Sequence, residues 1–282
     1  MENEGVEVAL TTRNIHTKDF TWFTNLNFGY NDNTVLRETV AENAIKPSRE
    51  GYSVGAIFAY KTAGLDDEGY PLFLTQDGRK VTATEFFKLN NAGASTLSAE
   101  EQRNLYSYIG STEPKVSGGF MNTFKYKRVT LGINCIFNFG MYVQTTPTYD
   151  PTNYDRGLNS NRDILNRWTP DHTNTTLPKL MTENDGRTGE YLRYKEQNLF
   201  RELDIWVKKQ NYFRFESIRL GYELPEKWLK PVGIKSASVS LEGRNLWVIA
   251  SNYHNYLDPE TMGNPYAAPI PKSFIFGLNV NF

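Results

Sequence analysis

Residues 273–282 read SFIFGLNVNF. Phe274, Phe276, Leu278, Val280 and Phe282 share one parity, and Ile275, Gly277, Asn279 and Asn281 share the other. Successive side chains of a strand point to opposite faces, so this spacing predicts a strand with one strongly apolar face. The stretch stops on an aromatic residue, whereas the ends of soluble domains usually fray and carry polar residues.

The same alternation recurs upstream, and eight strands are predicted in all. The first covers Val6 to Asn14, with Val6, Val8, Leu10 and Thr12 on one face. The second covers Asp19 to Tyr30, where Phe20, Trp22, Leu26, Phe28 and Tyr30 alternate with Thr21, Asn25, Asn27 and Gly29. The third runs from about Gly51 to Lys61, with Tyr52, Val54, Ala56, Phe58 and Tyr60 facing one way. A hairpin follows, Phe120 to Tyr126 and then Val129 to Phe139, closed tightly at Lys127 and Arg128. Strands six and seven cover about Tyr212 to Leu224 and Lys235 to Ile249. After the second strand, TVLRETVAENA (34–44) suggests a turn or two of helix, and within the insertion at 62–116 Ser98 three residues before Glu101 is a capping-box pattern for a short helix.

Connections differ in length. Those at 62–116, 141–210 and 251–272 are long and polar, while others are tight. Two fit poorly: 31–50 is long for the short class, and 15–18 is short for the long class. Charge sorts with parity, since Glu7, Arg13, Asp19, Lys125, Arg128, Arg219, Glu223, Glu242 and Arg244 all fall opposite the apolar face. A lipid-facing Arg or Lys at mid-membrane costs about 2–4 kcal/mol. Soluble half-buried sheets sort charge as well. An apolar face held for about ten residues in several strands, with aromatic ends, favours a membrane barrel. Glu216 shares the parity of Ile218 and Leu220; a β-bulge at Glu216 and Ser217 would put Phe213 and Phe215 on the apolar side and remove the conflict.

Composition is compatible with this. Mean hydropathy is -0.55, low for helical membrane proteins but not for barrels, whose strands show lipid only alternate residues. No apolar run approaches the roughly 20 residues of a spanning helix. With 31 Lys+Arg against 32 Asp+Glu, nothing points to a nucleic-acid partner. Aromatics reach 14%, which suits interfacial girdles, a sandwich core or a sugar-binding surface. Cys135 is the single cysteine, so no internal disulfide forms, and it is expected to be a small apolar strand residue. The start, MENEGVEVAL, has no basic n-region or apolar h-region. The expectation is therefore the C-terminal part of a longer protein.

From residue 211 the sequence resembles a known family. NYFRFESIRLGYELPEKW, GIKSASVSLEGRNLWVIASNY, LDPETMGNPY and PIPKSFIFGLNVNF, in that order, are similar to the closing segments of SusC/RagA TonB-dependent outer-membrane transporters. KDFTWFTNLNFGYNDN, GYSVGAIFAYKTAGL and STEPKVSGGFMNTFKYKRVTLGINCIFNFG look like barrel strands of the same family. The resemblance implies an all-β fold: a transmembrane antiparallel β-barrel of roughly 22 strands with long extracellular loops, of which residues 1–282 form the C-terminal portion. It implies uptake of oligosaccharides or peptides across the outer membrane of a Gram-negative, Bacteroidetes-like cell. A SusD-like surface lipoprotein would close over the mouth, and TonB would act through an N-terminal box and plug absent from this sequence. Outer-membrane lipid and the barrel assembly machinery complete the implied partners, with Phe282 resembling the assembly signal. A free-standing eight-stranded barrel and a soluble glycan-binding β-sandwich remain alternatives. The sandwich requires the apolar faces of strands four, five and eight to pack together.

Little suggests catalysis or a cofactor. His16, His172 and His254 are scattered, and no nucleophile elbow or phosphate loop occurs. Asp150, Asp155, Asp185 and Glu190 are candidates for a loop Ca²⁺ site, though their spacing matches no known loop. Asp258 and Glu260 flank Pro259; an Asp258-organised turn is the plainer reading, and contact with ligand or partner the other. Trp168, Tyr191 and Trp206 in one loop, and Tyr253, Tyr256 and Tyr266 in another, offer flat faces to sugars or apolar side chains. They serve equally to pack loops together or to meet a lipoprotein.

Overall fold

The computed structural model describes residues 1–154, 159–251, 258–264 and 266–282. Among these, seven long strands form one antiparallel sheet in simple up-and-down order. They are β1 (Glu2–His16), β2 (Phe20–Thr34), β3 (Val116–Tyr126), β4 (Val129–Phe139), β5 (Tyr212–Glu223), β6 (Ser236–Ala250) and β7 (Ser273–Asn281). Each pairs only with its neighbours in sequence, from Leu10 opposite Leu26 to Leu241 opposite Phe276. The sheet does not close: β1 and β7 are its edges. It is therefore an arc of wall, not an eight-stranded barrel.

Period-two alternation fixes its two faces. One is apolar and largely open to the surroundings, Phe276 73% exposed and Leu220 51%, with Cys135 covered between Phe120 and Phe215 of the neighbouring strands. The faces that a sandwich would have to bury against each other lie bare. The other face carries Arg13, Lys125, Arg219, Glu223, Glu242 and Arg244, the parity expected from the sequence. The register slips between Phe215 and Ser217 against both β4 and β6, which is the bulge the Glu216 conflict demanded. Phe213 and Phe215 then join the apolar face, in ring contact with Phe120 and Trp247.

The predicted third strand is not in the wall. Ala56–Ala59 is a four-residue strand paired with Ser107–Ser111. It is too short to cross a membrane, which takes about 9–11 residues, and Ile57, Ala59 and Tyr60 are buried beside other loop residues. The wall count is seven rather than about eight. Removing one strand flips the side assigned to every earlier connection, and both misfits vanish. Connections 17–19, 127–128 and 224–235 now lie at one rim, and 35–115, 140–211 and 251–272 at the other. The 34–44 segment is not helical: Val35 makes a bridge to Glu50, and the following backbone is irregular. The capping box is present, with Ser98 and Glu101 closing α2 (Ala99–Arg103).

The two longest connections fold together into a cap with its own core. Tyr60, Phe73, Phe86, Phe87 and Tyr106 from 35–115 pack with Tyr149, Met181, Tyr194, Leu199, Phe200, Leu203 and Trp206 from 140–211. Two short helices of this cap, α1 (Ala83–Phe87) and α3 (Thr188–Glu196), meet where the amide and hydroxyl of Thr84 donate to Glu190. Backbone bonds stitch the halves as well: Tyr60 N–H to Glu202 C=O at 2.9 Å and Asp204 N–H to Tyr60 C=O at 3.0 Å.

One departure from the apolar face was not foreseen. Thr12, Thr24 and Asn122 lie in one cross-strand row of that face. Asn122 Oδ1 accepts from Trp22 Nε1 at 2.9 Å and from the Thr24 hydroxyl at 2.7 Å. Asn14 Nδ2 donates to Thr24 at 2.6 Å and Thr12 donates to Asn14. On β4 to β7 the same row continues as Ile133, Ile218, Gly243 and Phe274.

Candidate functional site: the polar wall and the clamp beneath the cap

The polar face is where the wall can meet a solute. Two hollows open on it, of about 480 and 470 Å³. The larger is lined by Thr123, Thr130, Asn134, Arg219, Ser240 and Glu242, the smaller by Thr11, Asn25, Asn27, Gly119, Met121 and Glu216. Small residues shape this surface. Gly119 sits close against β4 and beside Asn27: a Cβ there would lie 2.8 Å from the Cys135 carbonyl. Gly132, by contrast, borders open space. Charges on the face pair along or across strands. Lys125 Nζ lies 2.9 Å from Glu223, Arg244 Nε donates to Glu242 at 2.6 Å, and Asn134 Nδ2 donates to Glu216 at 2.6 Å.

Near the cap rim the wall holds a buried ion-pair clamp. Arg214 on β5 is 2% exposed and Asp258 4%. Arg214 Nη2 donates to Asp258 Oδ1 and Nε donates to Glu260 Oε1, both at 2.5 Å. Asp258 also accepts from the Glu260 amide, while its own carbonyl accepts from the Thr261 and Met262 amides. The turn reading of the DPE stretch is therefore present, and both carboxylates are turned onto the wall. The turn touches the cap as well, since Gly263 lies so close to Val143 that a Cβ there would meet its methyl at 2.6 Å. One guanidinium thus joins the wall to the last loop, which touches the cap through Gly263. Its partner loop lies 44 residues away, so local reading could not find it.

The aromatic candidates separate. Tyr191 and Trp206 are interior residues of the cap, 7% and 4% exposed. Trp168 is half-buried, its ring laid so close on Gly69 that a Cβ there would meet it at 2.5 Å. Tyr266 stands fully out. Tyr253 and Tyr256, with His254, lie outside the described residues. Phe282 is exposed at the short-connection rim.

The described Ca²⁺ candidates, Asp150, Asp185 and Glu190, do not form a metal-holding group. Among the described residues no group of three His, Cys, Asp or Glu side chains is placed to hold a metal ion. Asp150 accepts from the Thr152 amide and hydroxyl. Asp185 accepts from Thr182 and pairs with Lys179 at 3.3 Å. Glu190 binds Thr84 with one oxygen, the other lying 3.8 Å from Arg187. Asp155 is outside the described residues. His16 and His172 make single contacts, to Thr21 and to the Arg167 carbonyl. In the cap, burial raises the Tyr60, Tyr106 and Tyr149 hydroxyls well away from titration, while hydrogen bonds from Thr75 and Arg79 hold Asp77 down to about 2. Cys135 is fully buried in the wall.

No family model matches the chain. Against curated proteins, all of its length aligns at 25% identity with TonB-dependent receptor P3 of Formosa agariphila and at 24% with TonB-dependent receptor P26 of the same organism. It aligns at 21% with TonB-dependent receptor SusC of Bacteroides thetaiotaomicron. Its homologues are TonB-dependent receptors. The chain spans 29% of the length of P3 and of P26, and 26% of SusC. Solved structures of the RagAB peptide importer superpose on 99% of it, with a TM-score of 0.72 at 24% identity in the closed-closed state and 0.67 at 22% in the open-open state. Each superposition uses under a third of the other chain, 29% and 28%. That likeness is one of fold: an open arc with long loops on one rim is what part of a SusC/RagA-like barrel provides, and it leaves neither the closed small barrel nor the sandwich favoured.

Proposed function

We propose that this chain is the C-terminal wall-and-cap portion of a TonB-dependent outer-membrane nutrient importer. The observation that carries it is the inverted sheet: an apolar face bare over seven strands and a polar, hollowed face behind it. In a closed barrel the first face meets outer-membrane lipid and the second lines the lumen. The long connections then stand outside the cell and the short ones in the periplasm, where Phe282 serves the barrel assembly machinery. The solute is an oligosaccharide or peptide. The cap meets a SusD-like surface lipoprotein, and TonB acts through parts of the importer beyond these residues. Exposed Tyr266 and half-buried Trp168 are the described aromatics left to touch solute or lipoprotein, together with Tyr253 and Tyr256.

Depth-resolved labelling tests this. In outer-membrane vesicles, a cysteine replacing Leu220 is expected to resist water-soluble maleimide while one replacing Asn134 reacts. Brominated lipid should quench the fluorescence of Trp247. Equal labelling of both cysteines by the aqueous reagent, with no quenching, would defeat the membrane reading. Uptake is tested separately: deleting the gene should abolish growth on one peptide or glycan source.

A further inference from the structure

Arg219 is a charge on the polar face that its own strands leave underused. Lys125, Arg244 and Glu242 all have charged partners within 3 Å. Arg219 has no carboxylate within 4 Å among the described residues, although Glu242 is its direct cross-strand neighbour on β6. Glu242 is drawn two residues along its strand to Arg244 instead. What remains for Arg219 is the Ser240 hydroxyl at 3.4 Å, a long bond for five guanidinium donors. Its surroundings leave the donors accessible. On β4 its neighbour is Gly132, where even an added Cβ would touch nothing, and Gly221 follows one side chain along the same face. The result is a guanidinium in a 480 Å³ hollow with hydroxyls and a carboxamide around it: Thr123, Thr130, Ser217, Ser240 and Asn134.

We propose that this hollow is a carboxylate-binding station, with Arg219 as the residue that takes the anion. A guanidinium matches a carboxylate with two parallel hydrogen bonds, and such pairs are the stronger class. The Ser217 hydroxyl supplies a donor beside it, while Asn134 Nδ2 is already engaged by Glu216. Glu242, already neutralised by Arg244, does not repel the incoming charge, and Glu223 is held by Lys125. The carboxylate belongs either to a solute in transit or to a polypeptide segment of the same importer lying in the lumen. The station rests on the reading of the polar face as lumen.

The experiment uses the intact importer in outer-membrane vesicles and separates the two readings. Arg219→Cys should be modified by a water-soluble thiol reagent; Cys135 is fully buried and stays silent. Modification only by a lipid-partitioning reagent would overturn the lumenal reading itself. With lumenal access established, binding of a triglutamate peptide is compared with its triglutamine twin. If solute supplies the carboxylate, the acid-over-amide preference falls roughly tenfold in Arg219→Gln, the scale of one charge-assisted hydrogen bond, and Arg219→Lys keeps most of it. If a lumenal segment supplies it, a benzophenone amino acid replacing Ser217 cross-links to an Asp- or Glu-bearing peptide of the importer. The yield then drops about as far in Arg219→Gln and recovers in Arg219→Lys. An aqueous-accessible position 219 with no charge preference and no Arg219-dependent cross-link would overturn the station and leave the importer reading intact.

Discussion

The wall and the cap solve the same problem in opposite ways. Both are rich in aromatics, yet Phe276 on the wall is 73% exposed while Phe73 and Phe87 in the cap are fully buried. The cap hides its rings against one another, in contacts such as Tyr60 stacked on Tyr106 at 4.1 Å and edge-on to Phe87 at 4.8 Å. Among the described residues nothing packs against the apolar face of the wall, so its side chains suit an apolar medium. Stability in the cap therefore comes from packing, and in the wall from backbone pairing plus the match of each face to its medium. A single substitution should reveal which regime a residue belongs to.

The largest contrast is expected between two phenylalanines. Phe87→Ala removes a ring at the centre of the cap and should cost about 3–5 kcal/mol. Limited proteolysis should then cut within 35–115 and 140–211 while the wall stays resistant. Phe276→Ala, in lipid, should change urea stability by well under half of that, since the methyl and the ring both face acyl chains. Equal losses would mean that the wall face is packed against protein.

The join between the regions comes next. Arg214→Met leaves Asp258 buried without its cation, and breaking such a pair costs about 3–5 kcal/mol. The lower end applies here because Glu260 keeps 28% of its side chain in solvent. The last loop should become protease-sensitive with the cap core still folded, and adding Asp258→Asn and Glu260→Gln should recover part of the loss. A variant whose loop stays protected would show that the contact with Val143, not the ion pair, holds it.

On the wall itself, Leu220→Arg puts a charge on the lipid side and should cost about 2–4 kcal/mol, read as lost folding yield into vesicles. Asn279→Arg on the other face should fold like the parent. If the two behave alike, the faces are not lipid and lumen.

These contrasts also explain what could be read from the sequence. A strand with one medium per face writes a strict two-residue code, so β2, β4 and β7 were legible, and even the bulge at Glu216 followed from one charge out of phase. The same code misled at 51–61, because alternation records that one face is apolar without saying what covers it; there the cover is the cap. Tyr191 and Trp206 could be read equally as ligand platforms or as loop packing, because an irregular chain has no period from which burial can be read; the structure buries both. The Asp258 turn was visible locally, but Arg214 was not, since nothing in a sequence announces a contact spanning 44 residues. Arg219 was sorted to the correct face, yet its lack of a partner appears only when Glu242 is seen turned to Arg244.

The smallest effect should come from the polar row on the apolar face, and it tests how uniform that face is. Asn122→Ala strips the acceptor from Trp22 Nε1 and Thr24 together. A donor left unmet away from water costs about 1–3 kcal/mol. Both groups have escape routes, Thr24 to Asn14 and Trp22 toward the nearby short-connection rim, so a loss of about 1 kcal/mol in urea-unfolding from vesicles is expected. The triple change Trp22→Phe, Thr24→Val and Asn122→Leu removes the three groups that meet at Asn122 Oδ1, leaving only exposed Asn14, near the short-connection rim, to find a new acceptor. Exchanging a whole hydrogen-bonded set for apolar groups of similar shape is close to neutral. In lipid it should even stabilise slightly, because Leu beside Ile133 extends the apolar row. Should the triple variant instead lose more than Asn122→Ala, these polar groups meet something other than acyl chains, and β1 to β3 would differ from β4 to β7 in what they face.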